Sequence, residues 1–203
     1  MRFGTRTRLK VTQAARLAVL TGCMASLDNV AVGLTLWSQP DHTLAARHGR
    51  AGWQVAMLAL VAPCPPQTTA ASEAQQDLTR LQTLRAELPR GSRLLLLSDF
   101  AWLSALHEPL LASLAECFDV LAVCINDAAE RVLPNVGLAC FADPLGGPPR
   151  WLDTSKPAVQ AAHAAAFAER QAQLTARLVR CGVRHLTLGA EVDNLLTLVA
   201  RHG

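Results

Sequence analysis

The sequence contains no tyrosine, and aromatic residues make up only 4% of it. Charged residues are also scarce, at 17% against 51% hydrophobic. So few ionic groups on a chain of 203 residues imply that one face is covered by something other than water. The formal charge of +3 is spread thinly, apart from Arg2, Arg6, Arg8 and Lys10 at the start. Nucleic-acid surfaces add basic stripes and stacking aromatics to such clusters, so this one reads as a solvated helix entrance and no nucleic-acid binding is expected.

Other absences narrow the chemistry. No Cys-x-x-Cys pair occurs among the cysteines at 23, 64, 117, 124, 140 and 181, and most of them sit in apolar runs. They read as buried, inert thiols in a reducing compartment, which makes the expected location cytoplasmic. The histidines lack zinc-pair spacing except for the loose pair His42 and His48. Gly-x-x-x-x-Gly-Lys is missing, and Gly146-Gly147 lies among prolines. No run approaches the ~20 apolar residues of a membrane span. Val11 to Leu27 is interrupted by Gln13, Arg16 and Ser26 in helical rhythm, unlike a secretory signal.

What is present alternates between helix and strand. Ala14, Leu17, Ala18 and Thr21 space a helix over about 10–27, ended by Asp28-Asn29. Val30 to Trp37 predicts a strand buried on both faces, and His42 to Arg47 a short return strand. Trp53 to Val61 reads as a helix stopped by Pro63, Pro65 and Pro66, with Gln67 to Ser72 as a linker. Leu78, Leu81, Leu84 and Leu88 mark another helix. Leu94 to Leu97 and Val120 to Ile125 are apolar strands separated by a helix over Leu103 to Ala115. This is the pattern of a right-handed β-α-β unit, which places Asp99 and Asp127 on one strand-end rim. Gly137 to Ala142 and Arg150 to Leu152 predict a hairpin beside the main sheet, within an insertion at 134–153. A long helix over Lys156 to Cys181, a strand at Leu186 to Leu188 and a closing helix at Val192 to Val199 complete the plan.

Several segments resemble a known family in the same order. Met1-Arg2-Phe3-Gly4-Thr5 leads to Lys10 and Ala14-Ala15-Arg16-Leu17-Ala18, followed by Asp28-Asn29-Val30-Ala31-Val32-Gly33 and Ser98-Asp99-Phe100. Then come Asp127-Ala128-Ala129-Glu130, Leu133-Pro134, Phe141-Ala142-Asp143 and Trp151-Leu152-Asp153. Together they resemble the bacterial domain-of-unknown-function family 58, whose members carry a von Willebrand factor A-like domain and often accompany MoxR-type AAA+ ATPases. The resemblance implies a single domain over 1–203, a three-layer α/β fold with a mostly parallel Rossmann-like sheet between helices. It also implies that the family's first strand and its Asp-x-Ser-x-Ser cation motif are missing ahead of Met1.

By that resemblance Asp99 falls where a third-loop metal ligand would stand. No cofactor is expected of the chain as written, and Mg²⁺ only of an N-terminally extended form. Residue by residue, Asp99 reads as a residual metal ligand or as a helix cap. Asp127 with Glu130 reads as a carboxylate pair or as a capping box. Trp102 reads as core or as partner surface. The expected partner-binding set is Arg47, Gly49, Ser98, Trp102, Asp127 and Glu130, with Arg47 to Arg50 as a polar loop near the rim. The function expected is a non-catalytic adaptor for a MoxR-type ATPase. The alternatives are a hydrolase or phosphate-handling enzyme on the same sheet, or a fragment without independent function.

Overall fold

The computed structural model describes residues 8–38, 40–62, 73–141 and 148–196. Two compact units divide the chain. One takes the described residues of Met1–Lys10 and of Ser72–Glu191, and the other takes the described residues of Val11–Ala71 with those from Val192 onward.

The larger unit is an α/β fold around a parallel sheet. Helix α3 (Glu73–Glu87) leads into strand β3 (Arg93–Ser98), after a turn in which Gly91 takes the left-handed φ of 80°. A 3₁₀ turn at Ala105–His107 runs directly into α4 (Glu108–Cys117), and β4 (Asp119–Asn126) follows. After the short helix α5 (Ala128–Arg131), β5 (Leu138–Phe141) and β6 (Arg150–Asp153) form an antiparallel pair. Helix α6 (Pro157–Arg180) and β7 (Arg184–Gly189) close the unit. The α6 helix has proline in its first turn and Arg177 and Arg180 in its last, as the helix dipole favours. Gly182, at φ 71°, turns the chain out of it.

The sheet order is β3-β4-β7, all parallel, with Ser98 opposite Cys124 and Asn126 opposite Gly189. Because β4 has a strand on each side, its residues Val120, Ala122, Val123, Cys124 and Ile125 are buried, together with Leu111 and Leu114 of α4 and Leu178 of α6. The expected β-α-β pattern is present. The hairpin is a separate two-stranded sheet rather than an extension of the main one, and its apolar side chains stay exposed, Leu138 at 68% and Trp151 at 65%. The turn at 142–147, including Asp143, lies outside the described residues.

The smaller unit contains helix α1 from Val11 onward (the helix spans Lys10–Leu27), strands β1 (Val32–Leu36) and β2 (His42–Arg47), and helix α2 (Gly49–Val61). Asn29 adopts φ 55° and ends α1, while the Val30 N–H donates back to the Ala25 carbonyl. Trp53, Ala14, Leu17 and Ala56 are buried. Gly22 is required here by close approach, since a Cβ at that position would fall inside the Trp53 indole.

Four expectations need correction, three of them in this unit and one that concerns cysteines of both units. The segment 30–37 is not buried on both faces: Val30 is 53% exposed and β1 is half-buried, because among the described residues it pairs only with β2. Arg47 to Arg50 is not a loop, since Arg47 ends β2 and Gly49 already begins α2. The closing helix expected from Val192 to Val199 does not begin at Val192: residues 192–195 are not helical, the Val192 and Asp193 carbonyls accepting from the side chains of Gln13 and Arg16, Leu196 is helical, and 197–199 lie outside the described residues. Cys23 and Cys140 are exposed, not buried, whereas Cys124 and Cys181 are buried. The linker at 67–72 and the prolines at 63, 65 and 66 lie outside the described residues.

Candidate functional site at the strand ends

Parallel pairing brings the C-terminal ends of β3 and β4 side by side, so Ser98-Asp99 and Asn126-Asp127 leave the sheet at one rim. Ser98 Oγ accepts from the Phe100 N–H at 3.0 Å and from the Trp102 indole N–H at 3.2 Å. This folds the chain back after β3, and Phe100 takes a left-handed φ of 54° to make the bend. Trp102 then stands half-buried, edge-on to the His107 ring with centroids 5.1 Å apart.

Asp99 does not cap the helix that follows. That role belongs to Ser104, which forms a capping box with His107 at the start of the 3₁₀ turn, five residues on from Asp99 in the chain. Asp99 instead faces Lys10. Its Oδ2 lies 2.9 Å from Lys10 Nζ, and Glu130 Oε1 lies 2.8 Å from the same ammonium. Asp127 and Glu130 form the capping box of α5, Asp127 Oδ1 accepting from the Ala129 N–H and Glu130 Oε2 from the Asp127 N–H. The reading of these two as a cap therefore stands, and Glu130 also has a second role as an ion-pair partner.

Lys10 is the residue that sequence reasoning missed. Taken for part of a solvated entrance, it is only 3% exposed. The available signal was its spacing, because Lys10, Gln13, Ala14 and Leu17 share one face of α1, and the last three are buried. A lysine on a buried stripe requires a carboxylate. Burial disfavours its charge, but the hydrogen bonds to Asp99 and Glu130 outweigh that and hold its pKa above the ordinary lysine value. Asp99 is likewise held below the usual carboxylate range, its burial more than offset by Lys10.

Next to this cluster, Cys124 Sγ lies 3.4 Å from Asn126 Oδ1 and 3.9 Å from both the Asp99 carbonyl and Gln171 Oε1. Burial pushes its thiol up to about 11. Of the expected partner-binding residues, Ser98, Trp102, Asp127 and Glu130 thus belong to the unit that carries the rim, whereas Arg47 and Gly49 belong to the other unit. Among the described residues no three of His, Cys, Asp and Glu gather as a metal-ligand set.

These features define an α/β domain with a parallel sheet and a charge-paired cluster at its strand ends. The chain belongs to the family described as Protein of unknown function DUF58, whose model matches residues 1–173. Its fold is similar to that in the crystal structure of the conserved hypothetical protein BatB from Bacteroides thetaiotaomicron, with a TM-score of 0.53. That likeness covers 94% of this chain and 84% of the other at 13% identity, so it concerns fold alone. No curated protein matches the chain. No described helix is long and apolar enough to cross a membrane.

Proposed function

We propose that this chain is a non-catalytic adaptor of von Willebrand factor A type, which presents its strand-end rim to a MoxR-type AAA+ ATPase in the cytoplasm. The observation that carries the reading is the way the rim's charges are used. Asp99 and Glu130 pair with Lys10, and Asp127 is engaged in the α5 cap. Groups spent on internal pairs make a fixed surface and a poor acid–base machine, since catalysis needs a proton acceptor within reach of substrate. The ATPase as partner and the von Willebrand factor A type come from the family resemblance.

Purified ATPase titrated against the chain, with ATP turnover followed in parallel, tests the reading. Saturable binding weakened tenfold or more by Trp102→Ala is expected, as for an aromatic anchor at an interface. Absence of binding would sink it.

One observation favours the hydrolase reading, namely a thiol, a lysine and carboxylates gathered at strand C-termini, where α/β enzymes place their chemistry. Against it, a thiol at about 11 is almost wholly protonated at neutral pH and is a weak nucleophile. Alkylation by iodoacetamide should therefore be far slower at Cys124 than at the exposed Cys23 and Cys140. Fast modification of Cys124, or turnover of model esters without the ATPase, would reverse the preference.

A further inference from the structure

Helices α3 and α4 belong to the larger unit and lead into the adjacent parallel strands β3 and β4, so they run in the same direction where they pack together. Their facing sides leave an open groove of about 540 Å³. Leu78 and Arg85 line it on the α3 side, and Leu106 of the 3₁₀ turn with Pro109, Leu110 and Ser113 of α4 line it on the other. Both sets recur at helical spacing, which puts each on one face. Arg85 Nε donates to Ser113 Oγ at 2.5 Å across a chain separation of 28 residues, and the same offset relates Leu78 to Leu106. The groove therefore has a direction, with a cation at one end and aliphatic side chains at the other.

Neither end is matched within the larger unit. Leu106 is 69% exposed. Arg85 forms no ion pair among the described residues, whereas Arg80 on the same helix is paired with Asp77, and Glu108 at the start of α4 is taken by Arg177 and Arg180. Because Ser113 holds Nε, the guanidinium is fixed in place and its two terminal nitrogens remain to grip both oxygens of a carboxylate. We infer that this groove docks an amphipathic helix of another protein, which sets an aliphatic side chain against Leu106 and Leu110 and a carboxylate on Arg85, about two helical turns away. A trough open along two helices suits that elongated mode of contact, whereas small-molecule sites enclose most of their ligand. This goes beyond docking at the rim and stands without it.

Selection of a phage-displayed helical-peptide library on the whole chain tests the inference, with the enriched peptides then titrated by fluorescence anisotropy against the native protein, Arg85→Gln, Arg85→Glu and Leu106→Ser. The peptides should carry Leu, Ile or Met about two turns from Asp or Glu. They should bind the native protein at least about tenfold more tightly than Arg85→Gln or Leu106→Ser. Arg85→Glu should lose these peptides and gain those in which lysine replaces the acid, an exchange that a misfolded variant cannot produce. No enriched peptide, peptides with a basic residue in place of the acid, or peptides indifferent to both positions would overturn the inference. So would failure of the charge exchange.

Discussion

Strands β4 and β1 have similar apolar sequences, Asp119–Asn126 and Val32–Leu36, yet they end in different environments. Most of β4 is buried, whereas β1 is half-buried throughout, apart from the exposed Gly33. Strand β3 lies between the two cases: its four consecutive leucines, Leu94 to Leu97, are only half-buried. The difference follows the number of neighbours. β4 is hydrogen-bonded on both sides, while β3 and β1 each pair with one strand among the described residues. Apolar, β-branched composition selects extended backbone, but burial depends on how many elements pack around it.

The strongest way to break this comparison is to cut the same kind of side chain in both places. Ile125→Ala should cost about 3 kcal/mol, the typical penalty for truncating a fully buried aliphatic. Leu34→Ala should cost under about 1 kcal/mol, because its site is already partly open to water. Chemical denaturation of single-tryptophan variants separates the units, since Trp102 and Trp151 report on the larger one and Trp37 and Trp53 on the smaller. Ile125→Ala should shift only the first transition, and equal losses from both truncations would refute the neighbour argument.

With so little sheet, the smaller unit relies on helix contact. Gly22→Ala should destabilise it by about 2 kcal/mol through overpacking against Trp53, read in the Trp53 transition. The larger unit depends on its charged rim as well as its core. Asp99→Asn should cost about 2 kcal/mol, the buried-pair penalty reduced for the partial exposure of Asp99.

That loss should depend on pH in a defined way. The folded-state pKa of Asp99 is depressed, so its contribution is complete above the ordinary carboxylate value of about 3.9 and fades as pH falls through the lowered one. The pKa of Lys10 is raised, so its contribution is complete below about 10.4 and fades as pH rises through the raised value. Melting temperatures of the two proteins should therefore differ by a constant amount between these limits and converge in acid. A gap that widened in acid would contradict the ion pair. A smaller effect than that of the ion pair belongs to Asp127→Ala, about 1 kcal/mol from the lost cap of α5, measured by the same melts.

Much of the fold was legible in local spacing. The α1 range, the parallel pairing of β3 with β4, the capping box of Asp127 and Glu130, and the two-stranded hairpin all depend on residues close in sequence or on a crossover rule that spacing reveals. The rim was legible as a place, since strand ends next to turns are readable. Its electrostatic content was not. Asp99 read as a metal ligand or a cap because its neighbours in the chain suggest only those roles, and its partner Lys10 lies 89 residues away.

The sequence by itself determined most of the helices and strands and where the polar strand ends fall. Only the tertiary structure decided that Lys10 sits between Asp99 and Glu130, that β4 rather than β1 or β3 forms the core of a sheet, and that Cys124 is buried while Cys140 is exposed. Periodicity and turn chemistry act over a few residues and can be read from them. Burial and ion pairing depend on what the folded chain brings from far along the sequence, and a local pattern does not encode that partner.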